Sequence, residues 1–143
     1  MRKIPFVVAA VLVVVGLLIQ LIPYGRDHSI PPVNDEPRWP SPEVRALARR
    51  ACFDCHSNQT RWPWYSEIAP ASWLIYRDVT EGRRHINFSD WDRPDHQHVD
   101  EFQQVFAESS MPPAQYLLLH PEARLSATEK RTLEDGLMKL AES

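Results

Sequence analysis

The chain has 143 residues, a net charge of −3 and a pI of about 6.0, which suits one domain of modest core with an appendage. Its only lysines are Lys3, Lys130 and Lys139, and this charge balance does not point to nucleic acid as a partner. Thirteen prolines against four glycines are typical of short helices separated by rigid turns, rather than of a β-sandwich with flexible loops.

An apolar run, Ile4 to Pro23, occupies the N-terminal region, and Gln20 is its only strongly polar residue. At about 1.5 Å per residue, a helix of this length matches a bilayer core of about 30 Å. Arg2 and Lys3 precede the run, which predicts that the N-terminus stays in the cytoplasm. We therefore expect residues 1–24 to form a single-pass anchor in the inner membrane, with the soluble domain in the periplasm.

A cleaved signal peptide is the alternative interpretation of this run. The run is long for a signal core, and no A-x-A cleavage site follows it. Both interpretations export the rest of the chain.

Residues 25–40 are rich in proline and polar side chains and lack apolar periodicity, so they predict a semi-extended linker. The remainder, residues 41–143, is the predicted soluble domain.

The first helix of this domain is well marked. Ser41 is suited to the N-cap, Pro42 to the first helical position and Glu43 to the first turn. A stripe at helical spacing follows and predicts a buried face that continues into the cysteines: it consists of Val44, Leu47, Ala48, Ala51, Cys52 and Cys55.

Three further helices are predicted after this one. The second starts at Pro70 and ends at Gly82, and the third opens at Pro94. "MPPAQYLLLHP" predicts a tight turn with one or two helical turns. The last helix begins at Ser126, where Ser126 and Glu129 match the capping-box pattern. Since no stretch alternates with period two, we predict an all-α fold. The apolar positions of the second helix are Trp73, Leu74, Tyr76 and Val79. Those of the third are Val99, Phe102, Val105 and Phe106. Those of the last are Leu133, Leu137, Leu140 and Ala141.

Both cysteines of the chain lie in the pentapeptide Cys52-Phe-Asp-Cys55-His56, which allows four chemistries. A disulfide would close a very short loop and gain little. A thioredoxin-like dithiol uses the same spacing at the start of a helix, within a βαβ pattern that is missing here. A zinc site needs four ligands, and this motif supplies three.

Covalent haem attachment fits the motif best, because C-x-x-C-H is the pattern of c-type haem sites. The two thiols add to the porphyrin vinyl groups, and the histidine beside the second thiol reaches the iron. A large apolar cofactor would also supply core that a domain of about 100 residues lacks.

Three longer segments carry a resemblance to a known family: "CFDCHSNQTRWPWYSEIAPASW", "EGRRHINFSDW" and "MPPAQYLLLHPEARLSATE". Together, from about Pro40 to Leu140, they resemble the haem-binding domain family of small, membrane-anchored, cytochrome-c-like bacterial proteins. The resemblance implies one covalent haem c, bound through Cys52 and Cys55, a periplasmic location and a role in electron transfer. It implies no particular substrate or redox partner.

An electron carrier needs a second axial ligand, and we predict Met111. A thioether raises the reduction potential relative to a second histidine, and Pro112 and Pro113 fix the backbone that follows. The alternative is an apolar loop residue without a ligand role. Met138 is better explained as core. The remaining histidines are weaker candidates for the iron: His28, His85, His96, His98 and His120.

Haem propionates are anions that need charged or hydrogen-bonding partners. Arg61, shortly after the motif, is the predicted partner, with Arg83 and Arg84 as alternatives. Trp64, together with Trp62 and Tyr65, is predicted to line the haem pocket; packing of the core explains the same residues. Packing alone is the better explanation for Trp73 and Trp91.

The sequence as a whole predicts a membrane-anchored monohaem c-type cytochrome that transfers single electrons. No catalytic arrangement of side chains is evident, so we expect a carrier rather than an enzyme. The alternative is a haem peroxidase or gas sensor with an open sixth position on the iron. A haem-free thiol or zinc module is the third possibility.

Overall fold

A computed structural model describes residues 4–93, 104–105, 108 and 110–141. Within these residues the chain forms α-helices and short 3-10 helices, and its one β-bridge pairs Asp35 with Asp90 in isolation. The predicted all-α fold is therefore confirmed for the described part of the chain. The helices are α1 (Ile4–Ile19), α2 (Pro42–Ala51), α3 (Phe53–His56), α4 (Ala71–His85), α5 (Ala114–Leu119) and α6 (Ala127–Ala141), with 3-10 helices at Trp64–Glu67 and Pro121–Ala123.

The chain divides into two compact units. The first contains the chain up to Ser29 together with Trp62–Asp78, and the second contains Ile30–Arg61 and the chain from Val79 onward. Each unit is discontinuous in sequence, because it combines segments that are far apart in the chain. A prediction that divides the chain into consecutive ranges does not find such units.

The first unit begins with α1, which has 16 residues and buries none of them. After Ile19, the N–H groups of Gln20, Leu21 and Ile22 donate to carbonyls three residues back, and this tighter turn ends the helix before Pro23. No helix in the described residues has the length and apolarity needed to cross a membrane. The predicted transmembrane helix over the whole apolar run is therefore not supported.

Gln20, the polar exception in the apolar run, has a structural role in the first unit. Its Nε2 donates to the carbonyls of Gly16 and Ala69, both at 3.0 Å, and its Oε1 accepts from the N–H of Ala69 at 3.0 Å. The side chain thus joins the end of α1 to the segment that precedes α4.

Gly25 lies close to the backbone of Ser72 in the same unit. Its φ is +81°, a conformation that favours glycine.

The second unit has the core that positions the cysteine segment. Ser41 caps α2 as predicted, with its Oγ accepting from the N–H of Val44 at 3.2 Å. α2 packs against α6, where a Cβ at Gly136 would lie 2.5 Å from Val44 Cγ1. The helix axes can therefore approach closely at this point. The buried core cluster of this unit consists of Val44, Leu47, Ala48, Phe53, Ile86, Phe88, Leu133, Leu137 and Leu140.

The second half of the predicted linker is packed onto this unit. The N–H of Asn34 donates to the carbonyl of Ser89 at 2.9 Å, and the N–H of Trp91 donates to the carbonyl of Asp35 at 3.2 Å. Arg45 donates to both carboxylate oxygens of Glu36 at 2.8 Å, and this hydrogen bonding lowers the pKa of Glu36. The proline-rich composition predicted an extended backbone but did not reveal these partners.

The later helices match the sequence in part. The capping box of α6 is confirmed: Glu129 N–H donates to Ser126 Oγ at 3.2 Å, and Ser126 N–H donates to the Glu129 carboxylate at 2.8 Å. The predicted end of the second helix at Gly82 is wrong, because α4 continues to His85. Of the predicted helix from Pro94, Gln104 and Val105 are described and are helical, whereas residues 94–103 and 106–107 lie outside the described residues.

Candidate functional site

The Cys52–His56 segment of the second unit forms one compact turn. Cys52 ends α2, with its N–H donating to the carbonyl of Ala48 at 2.7 Å. Its own carbonyl accepts from the N–H groups of Cys55, at 3.1 Å, and His56, at 2.9 Å. The cysteines are half-buried and are not joined in a disulfide. One helical turn thus presents both sulfurs and the imidazole from a short stretch of backbone.

The imidazole of His56 has the hydrogen bond that a metal-binding histidine typically makes. Its Nδ1 lies 3.2 Å from the carbonyl oxygen of Ile86, and because a carbonyl only accepts, Nδ1 carries the proton in this contact. Nε2 then keeps its lone pair, the tautomer that iron requires. Burial lowers the pKa of His56, although the carbonyls of Ile86 and Gly82 oppose this, so the neutral ring is favoured.

The Cys52 thiol is not activated as a redox cysteine would be. Burial, reinforced by the neighbouring Cys55, raises its pKa to about 12. Reactive dithiols show the opposite shift, toward the thiolate. Among the described residues, no cluster of three or more His, Cys, Asp and Glu side chains is arranged to hold a metal ion. The protonated thiol is the form that adds across a vinyl group to give a thioether.

Buried polar side chains hold the segment after His56 to the segment after α4. Asn58 N–H donates to Ser89 Oγ at 3.0 Å, and Asn87 Nδ2 donates to Asn58 Oδ1 at 2.9 Å. The N–H of Phe88 donates to the carbonyl of His56 at 2.8 Å. These bonds explain why polar residues occur in the "CHSN" and "NFS" segments: they fix the backbone on both sides of the imidazole.

Gly82 places α4 directly against the cysteine turn. A Cβ at this position would lie 2.5 Å from the carbonyl oxygen of Cys55 and 3.0 Å from its carbonyl carbon. Only glycine permits this approach without a shift of backbone. Gly82 is therefore a packing residue inside α4, which continues past it to His85. The sequence does contain this glycine, in the "EGRRH" part of the segments that resemble the family. A glycine at the end of an apolar helical pattern, however, usually predicts the C-terminus of the helix.

Arg61, the predicted propionate partner, is bound to Asp54 in the structure. Its Nε donates to Asp54 Oδ1 at 3.2 Å and its Nη2 donates to Oδ2 at 3.1 Å. The Arg61 side chain is 63% exposed, whereas that of Asp54 is 11% exposed. The hydrogen bond and charge of Asp54 raise the pKa of Arg61. Propionate binding by Arg61 stays a prediction, and the residue already neutralises a nearly buried carboxylate.

Tyr116 is a member of the site that sequence reasoning missed. Its hydroxyl donates to Asp54 Oδ2 at 2.8 Å, which joins α5 to the residue between the two cysteines. Burial, followed by the charge of Asp54 and the hydrogen bond to it, raises the pKa of Tyr116, so the phenol keeps the proton that it donates. Asp54 was passed over because it occupies a variable position of C-x-x-C-H, and Tyr116 because "AQYLLL" reads as an apolar helix.

The structure places the other two predicted site residues at exposed positions. Met111 is 43% exposed in the bend before α5, and its ligand role stays a prediction. Trp64 is 77% exposed and begins the 3-10 helix of the first unit, with its ring edge-on to Tyr65 at 5.7 Å. Its role in lining a haem pocket also stays a prediction.

The alternative candidates have other contacts. Arg83 donates to the carbonyl of Ser57 and to Thr60 Oγ1, both at 2.9 Å, and Arg84 donates to Glu81. His85 is the last residue of α4. Met138 packs against the core cluster, as predicted. His96 and His98 lie outside the described residues.

His28 and His120 are each stacked on an aromatic ring. His28 stacks on Trp62 at 4.2 Å and pairs with Glu67 at 3.0 Å, all within the first unit. His120 stacks on Tyr116 at 4.0 Å in the second unit. Both rings thus have packing roles that account for their positions.

A helical domain that presents two thiols and a half-buried imidazole from one turn belongs to the class of small helical cofactor-binding proteins. A comparison with protein families then identifies the group: the model of the haem-binding domain family matches residues 14–139. The chain therefore belongs to the haem-binding domain family. Comparisons with curated proteins and with solved structures give no match.

The residues present fit a haem. Cys52 and Cys55 supply two thiols within one turn, and His56 has Nδ1 held by the Ile86 carbonyl. Thiol and imidazole are suitable iron-porphyrin partners. These three residues would hold the group, with Asp54 and Gly82 supporting their backbone.

Gly82→Ala tests the importance of the close approach of α4. The new Cβ would overlap the Cys55 carbonyl, so backbone must shift, and we expect a loss of about 1–3 kcal/mol in the free energy of unfolding. Alanine's helix propensity, worth about 1 kcal/mol, opposes this loss. Urea unfolding and haem content per polypeptide measure the effect. Gly16→Ala is the control, because nothing lies within 4 Å of its Cβ; equal stability of the two variants would contradict the packing role.

Proposed function

We propose that this protein is a monohaem c-type cytochrome that transfers single electrons. The haem is attached covalently through Cys52 and Cys55, and His56 is its proximal ligand. The observation that carries the proposal is the contact between His56 Nδ1 and the Ile86 carbonyl, 3.2 Å long, on the turn that also presents both cysteines. Membership of the haem-binding domain family supports the cofactor.

The protein's own contribution is to hold the proximal side of the cofactor rigidly. Bound haem supplies a metal centre that exchanges one electron. The Ile86 carbonyl orients the imidazole and increases the electron density on its Nε2, which favours the oxidised iron. The hydrogen bonds from the Phe88 N–H to the His56 carbonyl and from the Asn58 N–H to Ser89 Oγ limit movement of this backbone. Little reorganisation on electron exchange is the property that a carrier needs.

Met111 is proposed as the sixth ligand. It lies in the same unit as His56, and Pro112 and Pro113 restrict the backbone that follows it. Its 43% exposure favours a second candidate function, in which the iron keeps an open position and binds a gas or peroxide. The two candidates differ in what they predict for carbon monoxide.

The proposal also includes the location predicted from the sequence: the inner membrane, with the haem domain in the periplasm. Every residue of α1 is apolar, and none is buried, so α1 offers an apolar surface to lipid. Within the first unit, hydrogen bonds between Gln20 and Ala69 fix the end of α1 to the segment before α4. No nucleic-acid partner is proposed, and the redox partners are proteins of unspecified identity.

Mass spectrometry of the full chain, expressed with and without a cytochrome c maturation system, tests covalent attachment. We expect the matured protein to gain the mass of one haem that survives denaturation in acid and organic solvent. Cys52→Ser and Cys55→Ser should each retain a single thioether and lose part of the haem under the same treatment. An unmodified mass with two thiols that react with iodoacetamide would refute the proposal.

The spectrum of the matured protein tests the sixth ligand. A His/Met carrier shows a methionine-to-iron charge-transfer band when oxidised and does not respond to carbon monoxide when reduced. Met111→Ala should abolish the band and produce a carbon monoxide response. Met138→Ala is the control, since Met138 packs against the core. A native protein that binds carbon monoxide readily would favour the second candidate function.

Cell fractionation with protease treatment of spheroplasts tests the location. We expect the protein in the membrane fraction, with its haem domain cleaved by externally added protease while a cytoplasmic marker is spared. A soluble, protease-protected protein would contradict the proposed location. Sequencing of the mature N-terminus distinguishes a retained α1 from a cleaved signal peptide.

A further inference from the structure

The carboxylate of Asp54 joins two segments that are 62 positions apart in the chain. It lies between the two cysteines in sequence, and the residue is only 8% exposed. Its Oδ2 accepts from the Tyr116 hydroxyl at 2.8 Å, while the backbone N–H and side chain of Arg61 donate to it from its own segment. A carboxylate at this depth is stable only with such partners, so α5 is tied to the cysteine turn.

Tyr116 is in turn rigidly related to Met111. Met111 and Tyr116 are separated by Pro112, Pro113, Ala114 and Gln115, and the prolines fix two of the intervening φ angles. The N–H of Tyr116 donates to the Pro113 carbonyl at 3.0 Å. The Tyr116 ring stacks on His120 at 4.0 Å with an interplanar angle of 13°. Because the connection between the two residues is short and stiff, fixing the Tyr116 hydroxyl also restricts the position of Met111.

We infer that the hydrogen bond from Tyr116 to Asp54 positions the loop that carries Met111 relative to the Cys52–His56 turn. Tyr116 and Asp54 are thus positioning residues for the sixth ligand, and Asp54 connects the proximal and distal sides of the cofactor. This inference rests on the proposed function, in which His56 and Met111 are the two axial ligands.

The expected size follows from the kind of bond. Removing a hydrogen bond to a charged acceptor shifts an equilibrium by about tenfold or more when the bond favours one of the two states. The states here are Met111 bound and Met111 displaced. Because carbon monoxide binds only the displaced state, its apparent affinity reports the population of that state.

The experiment compares matured, full-length Tyr116→Phe with the native protein by carbon monoxide titration of the reduced form. Phenylalanine keeps the ring and its stacking on His120 but removes the donor. We expect haem to remain covalently attached, the apparent carbon monoxide affinity to rise about tenfold and the charge-transfer band to weaken. Tyr24→Phe, a change in the first unit, is the control and should match the native protein.

A purely structural role predicts a different result. Tyr116→Phe would then lower the free energy of unfolding in urea, while the carbon monoxide affinity and the band of the folded protein stayed native; this would overturn the inference and leave the proposed function intact. A native protein without the band would overturn Met111 ligation and the inference together.

Asp54→Asn provides a second, independent variant. It keeps the shape of the side chain and weakens the acceptor, so it should raise the carbon monoxide affinity in the same direction. In the Asp54→Asn background, Tyr116→Phe should add less than it does alone, since both changes remove one interaction. Full additivity would contradict the inference. If Tyr116→Phe gives no folded protein, the titration of Asp54→Asn decides the question, and a native affinity there overturns the inference.

Discussion

The close contact between α4 and the cysteine turn is the constraint on which the candidate site depends. Gly82 brings backbone against backbone at Cys55, and the chain that leaves α4 then passes beside His56. As a result, the carbonyl of Ile86 reaches the imidazole and the N–H of Phe88 reaches the carbonyl of His56. A single side-chain carbon at position 82 would lie 2.5 Å from the Cys55 carbonyl oxygen, so the backbone around the turn would have to shift.

The second requirement is the neutralisation of a buried carboxylate. Burying Asp54 without partners would cost several kcal/mol, yet the structure places it between two half-buried cysteines. Arg61 offsets the charge from the solvent side, where it is 63% exposed, and Tyr116 supplies a neutral donor from α5. The charge thus faces two different segments of the chain, so its stabilisation also fixes their relative positions.

Local signals in the sequence predicted local structure well. Ser41 and the Ser126–Glu129 box marked the starts of α2 and α6, because capping depends on residues within one turn. The apolar stripe of α2 was correctly placed as far as Ala51. It did not extend fully to the cysteines, which are half-buried, because the chain leaves α2 at Cys52 and begins a new short helix. Membership of the haem-binding domain family was predictable from the spacing of its motifs.

The sequence did not reveal interactions between distant positions. Gly82 was predicted to end its helix, since the atoms that exclude a Cβ belong to Cys55. The roles of Asp54 and Tyr116 depend on each other. The proline-rich stretch before Ser41 was predicted to be a semi-extended linker, and its partners, Ser89 and Trp91, were not foreseen because they follow α4. α1 was predicted too long, because hydropathy counts Gln20 to Pro23 with the helix although hydrogen bonds three residues apart close it at Ile19.

The proximal and distal sides of the proposed cofactor differ in how they are held. On the proximal side, backbone and side-chain bonds from Ile86, Phe88 and Ser89 converge on His56 and Asn58. On the distal side, Met111 belongs to a short exposed segment that the Tyr116–Asp54 bond connects to the cysteine turn. In the proposed cytochrome, a firmly held His56 imidazole and a Met111 with fewer restraints would let the sixth ligand exchange while the fifth stayed in place. Under this proposal, the strength of the Tyr116–Asp54 hydrogen bond would set the balance between a closed electron carrier and an iron that is open to small ligands.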